Sequence, residues 1–276
     1  TSAFTSDGFT VVNGGNSVGE VNDSSRTYTG WCWKAGGSTS SNSDGDITSS
    51  VSANQTAGFS IVTYTATSTA TDTVGHGLGA KPGWIIVKDR GGTNEWCVAL
   101  PDTLGNNEVL QLNLTNAIFA GSAGFNDTVN TGTTSSVFVT GNGDITGKNG
   151  SDYVAYCFVE KQGYNKFSTY SGNGSTNGSF VYTGFKPAWI LLKNTGSGNN
   201  WNIFDNKRNT FNVVTKAIAA QESGLGQTAD FIDFLSNGFK LRSTDTDVNG
   251  SGKTYVYAAF AESPFVNSKG VPNNAR

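Results

Sequence analysis

The stretch Ala80-Lys81-Pro82-Gly83-Trp84-Ile85-Ile86-Val87-Lys88-Asp89 returns later as Phe185-Lys186-Pro187-Ala188-Trp189-Ile190-Leu191-Leu192-Lys193-Asn194. The offset is 187 − 82 = 105 for proline and the same for tryptophan (189 − 84) and lysine (193 − 88). A further tryptophan keeps step, since 201 − 96 = 105. A period of that size is a domain-sized unit. A chain of 276 residues with this repeat must fold as copies of one unit, each able to bury its own core.

Composition says what kind of unit it is. Glycine is abundant at 36 residues, proline scarce at 5, and aromatics make up 12% of the chain. Charged residues are 14%, against roughly 25% in an average soluble protein. That mixture predicts short β-strands joined by polar turns, with too many aromatic residues for a disordered chain. The fold class expected is all-β: tandem antiparallel β-sandwiches of a jelly-roll-like kind, with seven or eight strands per copy. The net charge of −3 and the lack of a basic run leave no electrostatic footprint for nucleic acid. No apolar run reaches the roughly 18 residues of a membrane helix, so no membrane insertion is expected. The chain has no Met, which suggests processing or an excised fragment at position 1.

Residues 1–35 read as the closing hairpin of a partial repeat. Ser6-Asp7-Gly8-Phe9-Thr10-Val11 resembles Ser236-Asn237-Gly238-Phe239-Lys240-Leu241. Arg26-Thr27-Tyr28-Thr29-Gly30-Trp31-Cys32-Trp33 resembles both Asp152–Phe158 and Thr254–Phe260. Either preceding chain is missing, or these strands complete another domain's sheet. Residues 36–57, rich in Ser, Gly, Asn and Asp, read as a linker or long loop. Repeat 1 spans 58–162, repeat 2 spans 163–265, and residues 266–276 form a tail. Within repeat 2, residues 213–222 fit a short helix or a strand with a loop. In the doubled Lys-Pro-x-Trp strand, Pro lacks an N–H and suits a strand start or edge. The Trp and the following Ile and Leu are expected in the core, and Lys88 and Lys193 at strand ends where the ammonium reaches water.

The three cysteines are odd in number and lack CxxC spacing, which argues against a disulfide framework or a zinc site; buried free thiols are expected. His76 is the only histidine and stands in a glycine-rich turn. At the offset of 105, His76-Gly77 falls on Val181-Tyr182, so the second copy has no histidine there. A Ser-His-Asp or Cys-His site would have to use this one residue, and the turn reading is preferred. Gly75-His76-Gly77-Leu78-Gly79 precedes a strand and lacks the helix of a phosphate-cradling loop. Asp245-x-Asp247-x-Asn249-Gly250 opens like a calcium loop, but Val256 stands where its twelfth-position Glu belongs, which makes a weak metal candidate. A glycosidase needs facing carboxyls, and Asp89, Glu95, Asp102, Asp230 and Asp233 cannot be paired from sequence. No enzyme activity, cofactor or metal is expected. Ligand contacts are placed instead on polar loops, at Asn126, Asp127, Asn199, Asn200, Lys207 and Arg208.

The string His-Gly-Leu-Gly-x-x-Pro ahead of the first tryptophan strand, Asp152-Tyr153-Val154-Ala155-Tyr156-Cys157-Phe158 and Gly163-Tyr164-Asn165-Lys166-Phe167-Ser168-Thr169-Tyr170-Ser171-Gly172-Asn173-Gly174 carry a family likeness. They resemble an uncharacterised repeat domain of tail-fibre and other structural proteins of marine and cyanobacterial tailed phages. The likeness covers most of residues 58–265. It implies a virion setting and a β-rich architecture; with the low charge and abundant Ser, Thr and Asn, the expectation is a virion-surface protein, in a tail fibre or capsid appendage, whose task is assembly and adhesion to host-surface polysaccharide. The partners it implies are itself, as a homotrimer or other homo-oligomer, and other virion proteins. The alternatives are a non-binding scaffold, such as a capsid decoration or filament subunit, and a polysaccharide-trimming enzyme. No catalytic residue follows from the likeness.

Overall fold

A computed structural model describes residues 3–5, 8–11, 22, 26–120, 132–223 and 226–262. The chain divides into two compact units, residues 1–34 and 35–276.

In the small unit, Phe4 and Phe9 pair across an antiparallel bridge. The Thr5 N–H donates to the Gly8 carbonyl at 2.9 Å and the Thr10 N–H to the Ala3 carbonyl at 2.8 Å. Phe234 faces Phe239 in the same way much later in the chain. The other half of the expected hairpin is corrected: residues 26–33 form no strand. Among the described residues they have no ladder on either side, and a strand exists only by its ladder. Cys32, expected buried, is exposed.

The large unit contains eighteen strands among the described residues. The first ten are β1 (Ser40–Asn42), β2 (Ser49–Asn54), β3 (Phe59–Thr65), β4 (Thr73–Gly75), β5 (Trp84–Asp89), β6 (Cys97–Ala99), β7 (Glu108–Gln111), β8 (Phe119–Ala120), β9 (Val137–Val139) and β10 (Asp152–Phe158). The other eight are β11 (Asn165–Ser171), β12 (Phe180–Tyr182), β13 (Pro187–Asn194), β14 (Trp201–Asp205), β15 (Val214–Ala219), β16 (Gln227–Leu235), β17 (Gly238–Leu241) and β18 (Thr254–Ala261). Every strand pair is antiparallel. The all-β expectation holds, and residues 213–222 resolve as strand β15 rather than helix.

The repeat is visible in the pairing. In the first copy the order is β1-β2-β3-β10-β5-β6-β7-β8, with β4-β9 as a separate ribbon. In the second it is β11-β18-β13-β14-β15-β16-β17-β12, one sheet that curls into a nearly closed barrel with β11 and β12 at its two ends. Tyr64 faces Tyr153 across β3 and β10, and Tyr170 faces Tyr255 across β11 and β18. Val74 faces Phe138 just as Val181 faces Phe239. Each copy buries its own core, one around Val62, Ile85, Phe138 and Ala155, the other around Ile190, Phe204, Ile232 and Phe239.

Two expectations need correction. Residues 36–57 are not a plain linker: β2 pairs with the edge of β3, β1 pairs with β2, and Ile47 bridges Val74 of β4 in parallel. Small hydroxyl side chains fit there because Val51 and Ile47 supply the buried apolar contacts. The tryptophans also lie elsewhere than in the repeat cores. Residues of β5 alternate, so Ile85 and Val87 enter the core while Trp84 faces the other way. Trp84 is buried between the copies, 5.8 Å from Phe167 and edge-on to Trp201 at 6.1 Å. Phe158 meets Phe167 and Phe260 there, and the Trp201 indole N–H donates to the Gln111 carbonyl at 2.8 Å. Trp189 and Trp96 are only partly buried, the first edge-on to Phe260 and the second stacked on Tyr156.

Candidate functional site

The polar residues that recur between copies are used as structural staples. Lys193 is fully buried, contrary to the expectation that it reaches water. Its ammonium donates to the carbonyls of Asn194 at 2.7 Å and Ser197 at 3.0 Å, tying the following turn to the strand. Burial lowers its pKa to about 8, with Asp247 acting in the opposite sense. Lys88 makes the same two bonds, to the carbonyls of Asp89 and Gly92, from a partly exposed position. Next to them, the Asp89 carboxylate accepts from the Gly91 and Gly92 N–H groups and from Asn94, and Asn194 Oδ1 accepts from the Gly196 N–H.

His76 is fully buried. Its Nδ1 accepts from the Leu78 N–H at 3.2 Å, and its Nε2 lies 3.3 Å from the Thr134 carbonyl. Those contacts suit the neutral tautomer with the proton on Nε2, and burial lowers the pKa. The ring is a turn cap, as the sequence reading prefers. Its counterpart is not Val181, however. The strand registers align His76 with Thr183, whose Oγ1 accepts from the Phe185 N–H. The offset here is 183 − 76 = 107, because the connection that follows is two residues shorter in the second copy. Gly77 and Gly184 both take positive φ in this turn, at 69° and 85°.

The weak metal candidate is also a staple. The Asp245 carboxylate accepts from the Asp247 N–H at 2.8 Å. Asp247 accepts from Asn199 at 2.5 Å. The buried Asn249 amide donates to Asn173, Ser175 and Ser243. The loop carbonyls of Thr246 and Val248 accept from the Tyr255 and Tyr170 hydroxyls. In the first copy, Tyr153 and Tyr64 hold Asp144 and Thr146 in the same way. Among the described residues no group of three His, Cys, Asp or Glu side chains is placed to hold a metal ion.

The loop residues expected to bind ligand do not converge. Asn199 lies against Asp247, and Asn200 accepts from Gln221 at 2.6 Å. Arg208 closes on Asp205 at 2.6 Å and on the Ile203 carbonyl at 3.0 Å, while Lys207 pairs with Glu262. Asn126 and Asp127 lie outside the described residues. The candidate glycosidase acids Asp102 and Asp233 pair with Lys81 and Arg242.

What remains is a crevice that the sequence reading missed. Two adjoining depressions of about 480 and 400 Å³ share Arg90 and Asp152. Thr39, Ser40, Ser41, Ser50, Thr63 and Thr65 line one side; Gly91, Gly92, Lys148 and Ser151 line the other. The Arg90 N–H donates to the Asp152 carbonyl at 2.8 Å, and the Thr65 hydroxyl donates to the Asp152 carboxylate at 2.7 Å. Among the described residues the Arg90 guanidinium has no ion-pair partner. The second copy keeps the backbone bond but not the charges: the Thr195 N–H donates to the Thr254 carbonyl at 2.9 Å. This difference between copies was the available sequence signal, since Arg90 aligns with Thr195 at the offset of 105.

No curated protein sequence and no solved structure matches the chain. A profile for a domain of unknown function, DUF7483, matches residues 1–264, and the chain belongs to that family.

Proposed function

We propose that this chain is a virion structural protein, in a tail fibre or capsid appendage of a bacteriophage, that adheres to host-surface polysaccharide through the Arg90–Asp152 crevice. The resemblance noted in the sequence supports the setting, as does a body read as tandem jelly-roll-like sandwich repeats. The observation that carries the binding reading is the charge pair set on one copy alone. Both copies use the same backbone there, and only the first adds a guanidinium and a carboxylate among serine and threonine hydroxyls. A surface of neutral hydroxyls with the cations Arg90 and Lys148 and the anions Asp89 and Asp152 matches a polyhydroxylated chain, whose hydroxyls both donate and accept. The guanidinium adds a fork for an acidic sugar.

The test is a glycan array on the purified chain, with light scattering on the same sample to weigh the homo-oligomer. The double variant R90T/D152T installs the residues of the second copy and keeps the shared backbone bond. Binding to a defined glycan that falls at least tenfold in this variant supports the reading. Failure of the wild-type chain to bind any glycan at millimolar concentration, or binding indifferent to the variant, would sink it.

A further inference from the structure

The two copies differ most at one flank, between the strand that opens each copy and the short strand that follows it. In the first copy this flank is filled. The Val159 N–H donates to the Gly58 carbonyl and the Ala66 N–H to the Ser151 carbonyl. By antiparallel alternation the backbone groups of Phe59, Ile61 and Thr63 then face away from β10. They face β2, paired as Asn54 with Phe59, Ser52 with Ile61 and Ser50 with Thr63. The same segment reaches across to β4. The Ile47 N–H donates to the Thr73 carbonyl at 3.0 Å, Asp46 accepts from the Thr73 N–H at 3.1 Å, and Ser49 donates to the Gly75 carbonyl at 2.8 Å. Residues 46–54 thus bridge the two edges.

In the second copy nothing among the described residues fills the corresponding flank. The Ala261 N–H donates to the Tyr164 carbonyl and the Gly172 N–H to the Lys253 carbonyl, so Phe167, Thr169 and Ser171 present their backbone groups away from β18. The Thr183 N–H donates to the Asn237 carbonyl and the Leu241 N–H to the Ser179 carbonyl, so Phe180 and Tyr182 present theirs away from β17. Two groups of β11 have side-chain partners: Glu160 accepts from the Phe167 N–H at 3.4 Å, and Ser179 donates to the Ser171 carbonyl at 2.8 Å. Both groups of Thr169, the Ser171 N–H and the Phe167 carbonyl are left facing outward. The rings beside them, Phe180 and Tyr182, are 47% and 65% exposed.

We propose that the flank between β11 and β12 accepts an extended peptide strand from a partner protein, laid antiparallel to β11. The strand is uncharged and rich in small hydroxyl side chains, with small apolar residues at alternate positions, as Val51 and Ala53 are in β2. That chemistry is taken from the first copy, where Ser49–Asn54 occupies the equivalent place and inserts Val51 into the core. Strand addition suits such an edge because main-chain bonds supply affinity and side-chain pockets supply selectivity. The segment ahead of β11 is too short to supply the strand. Only six residues, 159–164, separate β10 from β11, against the 25 residues, 34–58, that lie between Trp33 and β3. Glu262, just after β18, is held by Asn206 and Lys207 beyond the end of β14. Where Gly75 admits the Asn42 side chain against its face, the second copy has Tyr182. The incoming strand therefore runs straight beside Phe180 and Tyr182 and lacks the turn that precedes β2.

The test uses a synthetic peptide of residues 47–55, which is uncharged and starts after the turn ahead of β2, with the full chain, read by amide hydrogen exchange. Saturating peptide is expected to slow exchange of the Thr169 and Ser171 amides at least tenfold, and a scrambled peptide to leave them unchanged. The variant T169P, which removes an outward N–H at a sheet edge where proline is tolerated, is expected to weaken peptide binding at least tenfold. If that variant does not fold, the wild-type exchange pattern decides. Unchanged Thr169 and Ser171 exchange at millimolar peptide would overturn the proposal. So would protection of these amides that rises with protein concentration in the absence of peptide, which would assign the flank to a second copy of this chain.

Discussion

His76 and Thr183 occupy the same station in the two copies, and each caps the N–H two residues ahead, His76 that of Leu78 and Thr183 that of Phe185. One cap is an imidazole nitrogen and the other a hydroxyl, which makes the pair a built-in control. The imidazole can cap only while Nδ1 carries no proton. Burial lowers its pKa below the ordinary 6.5, so the unfolded chain binds the proton first as pH falls. Stability from this site is present above about pH 6.5 and is lost below it. The variant H76T is expected to fold within about 1 kcal/mol of wild type at neutral pH, since it installs the other copy's solution. It should also lose the part of the acid destabilisation that begins near pH 6.5. Because the chain has one histidine, urea denaturation at pH 7 and pH 5.5 assigns that slope without ambiguity.

The seam between copies makes its own demand. Trp84 is 2% exposed and lies outside the core of its own copy, so its truncation opens a void between the two. W84A is expected to cost about 3–5 kcal/mol, the usual range for a buried large aromatic. The loss should fall on the coupling of the copies, giving two thermal transitions where wild type has one. A single transition merely shifted to lower temperature would show that the seam does not couple them.

The tyrosine staples predict a matched pair of effects. The Tyr153 hydroxyl donates to the Asp144 carbonyl at 2.8 Å and accepts from the Lys148 N–H at 3.1 Å. The Tyr255 hydroxyl donates to the Thr246 carbonyl and accepts from the Gly250 N–H, both at 2.7 Å. Y153F and Y255F each strand one acceptor and one donor in a loop, at about 1–3 kcal/mol apiece. Similar losses in urea denaturation are expected for both. A loss confined to Y255F would mean that the first copy's loop finds other partners.

The doubled proline–tryptophan stretch, a continuous apolar run, was enough to read β5, β13 and their return strands. Those elements are buried along most of their length on both faces, which is what such a run encodes. The function of 36–57 was hidden because its strands contribute backbone and hydroxyls more than apolar bulk, and only Ile47 and Val51 mark it as packed. Lys193 misled because a buried ammonium satisfied by two carbonyls looks, in sequence, like one that snorkels. The tryptophans misled for a related reason: a seam between repeats recurs at repeat spacing as faithfully as a core does. The crevice at Arg90 and Asp152 was legible only as a departure from the repeat, and a two-copy alignment at a single fixed offset blurs departures wherever a connection changes length.

Lys193 gives the last prediction, in alkali. Its pKa falls from 10.5 to about 8 on folding because burial disfavours the charged form. Between those values the unfolded chain holds the proton that the folded chain has released, so stability rises with pH through this window. Cys97 and Cys157 act in the opposite sense. Burial pushes both thiols above their ordinary 9.0, Cys157 to about 12, so the unfolded chain loses those protons first and stability falls above pH 9. Buried Tyr64 and Tyr170 add to that fall above pH 10. The sum is a stability maximum near pH 9, above the range where most proteins are most stable. K193M, which keeps the aliphatic stem and removes the titrating group, is expected to abolish the rise between pH 8 and pH 9 and leave the fall intact. Urea denaturation from pH 7 to pH 11 on both chains reads this directly. A wild-type profile that declines steadily from pH 8 would mean that the two carbonyl bonds keep the ammonium charged despite its burial.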